Sequence, residues 1–136
     1  MAFINKQKLN RTKPLGIRAP IRNAALDGVF DVNTITIEQV KSELYVLLFT
    51  SKGSRVQLPE FGSPVYDLQF EQVSQRDFPE IGRSIEDAIA RWVPKALVND
   101  VEITQLTEAP NTFEIVVRFS LRDNPRLEDS LVITAR

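Results

Sequence analysis

The sequence predicts an α+β fold in which two amphipathic helices pack on a small antiparallel β-sheet, preceded by an extended basic N-terminal arm. Three observations predict it. Apolar residues recur at helical spacing in two separate windows, 34–52 and 74–93. Phe113, Ile115, Val117, Phe119 and Leu121 alternate with Glu114, Val116, Arg118 and Ser120, all polar but Val116. Residues 1–22 carry Lys6, Lys8, Arg11, Lys13, Arg18 and Arg22 and no acid, whereas the remainder has 11 basic and 18 acidic residues, a balance of -7. At 136 residues the chain suits a single folded unit. We divide it into an arm over 1–33 and one domain over 34–136.

The arm comes first. Pro14 and Pro20 interrupt any helix and press the residues before them toward extended backbone. Its apolar residues, Phe3, Ile4, Leu9, Leu15, Ile17 and Ile21, stand singly. Two readings are open: a solvated tail, or a docking arm whose six cations meet a neighbouring surface.

The first helix is expected over 34–52, with Ile35-Thr36-Ile37 at its start open to a second reading as a short strand. Val40, Leu44, Leu47 and Leu48 fall on one face. Thr36 with Gln39 three residues on resembles a capping box, and Gly53 after Lys52 is a left-handed C-cap candidate. Residues 53–73 then hold Gly53, Pro59, Gly62 and Pro64 together with Val56, Leu58, Phe61, Val65, Tyr66, Leu68 and Phe70. Such an apolar connection is packed or functional rather than a solvated loop, with a helical turn near Tyr66–Phe70.

The second helix is expected over 74–93. Ser74 and Asp77 form a capping-box start, and Pro79 is tolerated in the first turn. Ile81, Ile85, Ala88, Ile89 and Trp92 make its apolar face, and Pro94 stops it. Gly82 in the middle costs about 1 kcal/mol relative to Ala, which implies a close approach by another element.

The remainder reads as strands. Val101 and Ile103 alternate with Glu102 and Thr104, and turn residues at Glu108–Asn111 lead into the Phe113–Leu121 strand. Asp123-Asn124-Pro125 makes a second turn, and Leu131–Thr134 a third strand.

Composition narrows the function. With no Cys and no His the chain lacks thiol chemistry, the commonest general base and the commonest metal ligand. No glycine-rich phosphate loop, nucleophile elbow or metal-ligand cluster is legible, so no catalytic residue, metal or cofactor is assigned. The longest apolar run, Leu44–Phe49, is far short of the roughly 20 residues of a spanning helix. Adjacent acids such as Glu86-Asp87 and Glu128-Asp129 read as solvated charges. Glu60, Asp67 and Glu71 are the only carboxylates placed for glycoside hydrolysis, a weak signal among 18 acids. The basic arm offers phosphate contacts, but the acidic body argues against a nucleic-acid domain.

Three segments stand in a fixed order: a helix running into Leu47-Leu48-Phe49-Thr50-Ser51-Lys52-Gly53-Ser54-Arg55 and Pro59-Glu60-Phe61-Gly62-Ser63; a loop ending Leu68-Gln69-Phe70-Glu71 before a helix that closes on Trp92-Val93-Pro94-Lys95; and Val116–Pro125. Over about Val40 to Pro125 this resembles the baseplate wedge protein of contractile-tailed phages that starts the tail sheath. That family is shared with a type VI secretion baseplate component and long carried a lysozyme-like label.

The resemblance implies a non-enzymatic structural part of the virion, assembled in the host cytoplasm. Its implied partners are the helical core bundle of neighbouring wedge proteins, the tail sheath protein, and tube or hub proteins. It further implies a wedge interface at Trp92, Val93, Pro94 and Lys95, and a conformational loop at Gly53, Arg55, Pro59, Glu60, Phe61 and Gly62. The family pattern after the second helix is an aromatic followed by Glu-Pro-Arg. Here Val93 lacks a side-chain acceptor, and Lys95 keeps the charge without the bidentate fork. For the sheath we expect strand addition at a sheet containing Phe113, Ile115, Val117, Phe119, Leu131 and Ile133. The alternatives are a cell-wall glycosidase and a nucleic-acid binder acting through the arm.

Overall fold

A computed structural model of the chain describes residues 15–21, 32–33, 35–69, 73–109 and 111–135. Its elements run in the order β1 (Gly16–Ile17), β2 (Val32–Asn33), α1 (Thr36–Leu48), α2 (Phe78–Trp92), β3 (Ala96–Gln105), β4 (Phe113–Leu121) and β5 (Glu128–Ala135). The architecture is the expected one, two helices on a three-stranded antiparallel sheet, with β4 between β3 and β5.

Helix α1 buries Val40, Leu44, Leu47 and Leu48, the face the spacing predicts. Its ends differ from expectation. Ile35 is the N-cap and Thr36 is already helical, so the Thr36–Gln39 capping box does not form. The helix closes at Leu48, four residues before Lys52, where the loop folds back on it: the Ser63 hydroxyl donates to the terminal Leu48 O at 2.9 Å, and the Ser63 N–H to Thr50 O, just past the helix, at 3.0 Å. Gly53 has positive φ, 84°, as a left-handed residue should, but it serves the loop rather than capping α1.

Ahead of α2, a 3-10 turn at Gln75–Asp77 carries the expected capping box. The Asp77 carboxylate accepts from the Ser74 N–H and from the Ser74 hydroxyl, both at 2.9 Å. These two bonds hold Asp77 below the usual carboxylate range. The helix buries Ile81, Ile85, Ala88 and Ile89. The close approach expected at Gly82 is absent: a Cβ there would meet no atom within 4 Å.

Strand β3 starts at Ala96, earlier than the alternation of Val101 and Ile103 indicates, because a bulge between Val98 and Asp100 breaks the two-residue period. Strands β4 and β5 match the expected segments. On the inner face Ile115, Val117, Phe119 and Ile133 are fully buried against Leu44, Leu47, Leu48, Ile85 and Ile89. Helix α2 lies over β3 and α1 over β5. Phe78 meets Phe113 edge-on at 5.8 Å, tying the start of α2 to the start of β4.

The described part of the arm rests on α1. Arg18 pairs with Glu38 at 3.1 Å, and the Ala19 N–H donates to the Ser42 hydroxyl at 3.2 Å. Strand β1 pairs antiparallel with β2, a short ladder where irregular chain was expected. Lys6, Lys8, Arg11, Lys13 and Arg22 lie outside the described residues, as do Phe70 and Glu71.

Candidate functional site

Two glycines shape the loop after α1. Gly53 donates its N–H to Pro59 O at 2.7 Å, closing a compact turn. Gly62 has φ 140°, and a Cβ on it would stand 2.5 Å from Thr50 O, so no other residue fits this return path. Between them Val56 sits at the tip, 98% exposed. Phe61 is directed inward, its N–H donating to Leu58 O at 3.1 Å.

The inward turn of Phe61 brings together two groups that are far apart in sequence. Phe61 meets Trp92, at the end of α2, edge-on at 5.2 Å. The Arg55 guanidinium lies over the Phe61 ring at 4.2 Å, and that of Arg91 over Trp92 at 4.9 Å. Arg91 also pairs with Glu60. The loop residues Arg55, Glu60 and Phe61 and the helix-end residue Trp92 therefore form one cation–aromatic surface. Beside it runs a groove of about 250 Å³ lined by Ile17, Gln39, Val46, Arg55, Phe61 and Trp92, among others.

The four residues at the end of α2 do not act alike. Val93 is buried in the core and its N–H continues the helix to Ile89 O at 2.8 Å, so its side chain is withdrawn from any interface. Pro94 and Lys95 are exposed. Their carbonyls are both taken by Arg122, through its side-chain Nε and its backbone N–H, each at 2.9 Å. Arg122 thus fastens the α2–β3 turn to the end of β4. It was not singled out from the sequence, although it follows directly on the β4 alternation.

The carboxylates considered for hydrolysis are otherwise engaged: Glu60 with Arg91, and Asp67 with the Ser51 hydroxyl at 3.2 Å. Among the described residues no group of three His, Cys, Asp or Glu side chains is arranged to hold a metal ion, and no helix is long and apolar enough to cross a membrane.

The sheet residues expected at a strand-addition interface lie on the inner face of the sheet. Phe113, Ile115, Val117, Phe119, Leu131 and Ile133 all point into the core and are buried. Strand β4 is central, so both of its edges are occupied. The edges without a strand partner among the described residues are those of β3 and β5. The β3 edge is interrupted by its bulge. Along β5 the phase of the ladder follows from Leu121, whose N–H donates to Leu127 O at 3.3 Å. Counting from that bonded pair, the backbone groups of Glu128, Ser130, Val132 and Thr134 face away from β4.

Asp129, read from the sequence as a solvated charge, has specific partners. Lys41 of α1 reaches both of its oxygens at 3.2 Å.

Comparison with known proteins gives a consistent picture. The family model for "Baseplate wedge protein gp25" matches residues 36–126. The baseplate wedge protein gp25 of Enterobacteria phage T4 is 29% identical over 92 residues, 68% of this chain and 69% of that protein. The fold is also shared with three solved structures. A Geobacter sulfurreducens crystal structure carrying the provisional name tail lysozyme has TM-score 0.66 and 21% identity, covering 76% of this chain and 93% of that one. A chain of the anti-feeding prophage baseplate has TM-score 0.56 and 22% identity, covering 88% and 82%. A chain of a type VI secretion baseplate complex has TM-score 0.58 and 15% identity, covering 74% and 93%.

Proposed function

The chain belongs to the baseplate wedge protein gp25 family of contractile injection systems, and from that membership we propose a specific role. It is a structural component of the inner baseplate of a contractile phage tail, holding the helical core bundle of neighbouring wedge proteins and templating polymerisation of the tail sheath. The observation that carries this reading is the family match over residues 36–126, which takes in the whole cation–aromatic surface.

Two surfaces divide the work. The bundle is bound at the exposed end of α2, by Pro94 and Lys95 beside the Arg55–Phe61–Trp92 stack, with the Gly53–Gly62 turn as the element that adjusts on docking. The sheath adds an extended terminal segment to the β5 edge. Backbone bonds from Val132 and Thr134 supply affinity, and alternate side chains supply specificity. The 1–33 arm extends the contact to adjacent subunits, and tube or hub proteins complete the set of neighbours. The protein acts in the virion after assembly in the host cytoplasm and performs no catalysis.

Affinity capture of the tagged chain from a producing lysate, followed by mass spectrometry, tests the assignment. Co-purification of wedge and sheath proteins is expected; a clean monomer would overturn it. Cutting the chain at Leu131 cannot separate the two surfaces, because Leu131 and Ile133 are core residues. Val132→Pro is the sharper variant. It removes an outward N–H without touching the β4 ladder, and edge positions tolerate proline. Baseplates carrying it should assemble but fail to grow sheath. Lysis of purified peptidoglycan by the chain would overturn the non-enzymatic reading.

A further inference from the structure

The outward backbone groups of β5 are not equivalent. The Ser130 N–H faces the open edge yet already donates to the Asp129 carboxylate at 2.7 Å. Lys41 holds that carboxylate in place through both of its oxygens, from 88 residues away. Asp129 and Lys41 also line a groove of about 350 Å³ whose walls include Arg18, Pro20, Tyr45 and Leu131. Its lining comes from β5, from α1 and from the arm residues Arg18, Ala19 and Pro20.

We propose that Asp129, clamped by Lys41, is a register stop for the strand that adds to β5. This rests on the strand-addition reading above and names what fixes the alignment. An incoming extended segment finds donors and acceptors at Val132 and Thr134, but at Ser130 the donor is occupied. A strand slipped two residues toward Glu128 would leave its own carbonyl facing a spent N–H and the Asp129 carboxylate, an unpaired and repelled acceptor. A slip of one residue is excluded separately, since it would turn the apolar side chains of the added strand away from Tyr45 and Leu131. On the strand-addition reading the occupant is an extended terminal segment of the sheath subunit, with large apolar residues at alternate positions facing Tyr45 and Leu131.

Two measurements test the cap and the stop separately. In the free protein, the Ser130 amide should exchange with solvent about tenfold more slowly than those of Val132 and Thr134, the scale of one hydrogen bond. Asp129→Ala should abolish the difference, and Asp129→Asn, which keeps an acceptor, should retain most of it. Equal exchange at Ser130 and Val132 in the unsubstituted protein would overturn the cap.

The register is read by disulfide trapping, for which the chain offers a clean background because it has no Cys. Val132→Cys is paired with single cysteines placed through the terminal segment of the tail sheath subunit. One trapped position is expected in the otherwise unsubstituted protein, and a second, two residues displaced, with Asp129→Ala. The same single position in both would overturn the stop and leave strand addition standing. No trapping in either, with Val132 and Thr134 unprotected by sheath, would overturn strand addition and the stop with it. Asp129 lies at the surface, so a thermal melt of Asp129→Ala close to that of the parent excludes loss of folding as the cause.

Discussion

The Phe61 ring stands edge-on to Trp92 at 5.2 Å. The loop that follows α1 and the last turn of α2 are thereby joined through their side chains. Arg55 lies over the Phe61 ring and Arg91 over the Trp92 ring, so each member of the aromatic pair carries a guanidinium. Aromatic pairs of this geometry contribute about 0.5–1.5 kcal/mol beyond the area they bury.

A double-mutant cycle with Phe61→Leu and Trp92→Leu should therefore give a coupling of about 1 kcal/mol in urea unfolding. Each single variant should also weaken capture of wedge proteins more than it weakens capture of sheath. Strictly additive stabilities would show that the two rings touch without interacting.

Glycine substitutions should split in sign. Gly82 stands in a helix with open space around it, so Gly82→Ala should stabilise the protein by about 0.5–1 kcal/mol. Gly62→Ala places a methyl group against the Thr50 carbonyl at positive φ and should destabilise by more than the first change gains. Chemical denaturation of the two variants checks both signs.

Arg122→Ala removes the side-chain bond to Pro94 O and should cost about 1 kcal/mol. Because the backbone bond to Lys95 O stays, the turn should loosen rather than open. Amide exchange across residues 93–96 should rise while that of Ile115 and Val117 is unchanged.

The Asp77 cap gives a pH signature. Its folded pKa lies below the ordinary carboxylate value because the Ser74 N–H and hydroxyl bind the charged form. A depressed acid contributes stability that is present above its unfolded pKa and is lost as pH falls through the folded one. The advantage of the parent over Asp77→Ala should accordingly be complete at neutral pH and shrink below about pH 4. An advantage that persists unchanged at pH 2 would contradict the cap.

Periodicity made the interior legible. Val40, Leu44, Leu47 and Leu48 on α1, and the alternation through β4, are burial patterns written into the spacing, and both are where the spacing puts them. The same alternation says nothing of which backbone edge is open: Phe113, Ile115, Val117 and Phe119 turn into the core, and the free edge belongs to a different strand. The start of β3 was hidden because the extra residue at the bulge shifts the phase at Asn99. The helix start at Thr36 carries little local signal, since Ile35, a poor capping residue by type, holds the N-cap. The cation–aromatic stack and the Asp129–Lys41 pair depend on residues 31 and 88 positions apart, distances at which no local pattern carries information.

The bulge at Val98 and Asp100 has a consequence for stoichiometry under the proposed reading. A seed whose sheet kept two regular edges would have a valence of two and would branch or cross-link as readily as it would grow. With β3 interrupted at Val98 and Asp100, β5 is the longer regular edge, and a copy that grows from it alone has a valence of one. An assembly of such copies would then recruit one sheath strand per copy, so the first layer would inherit its subunit number from the copies beneath it.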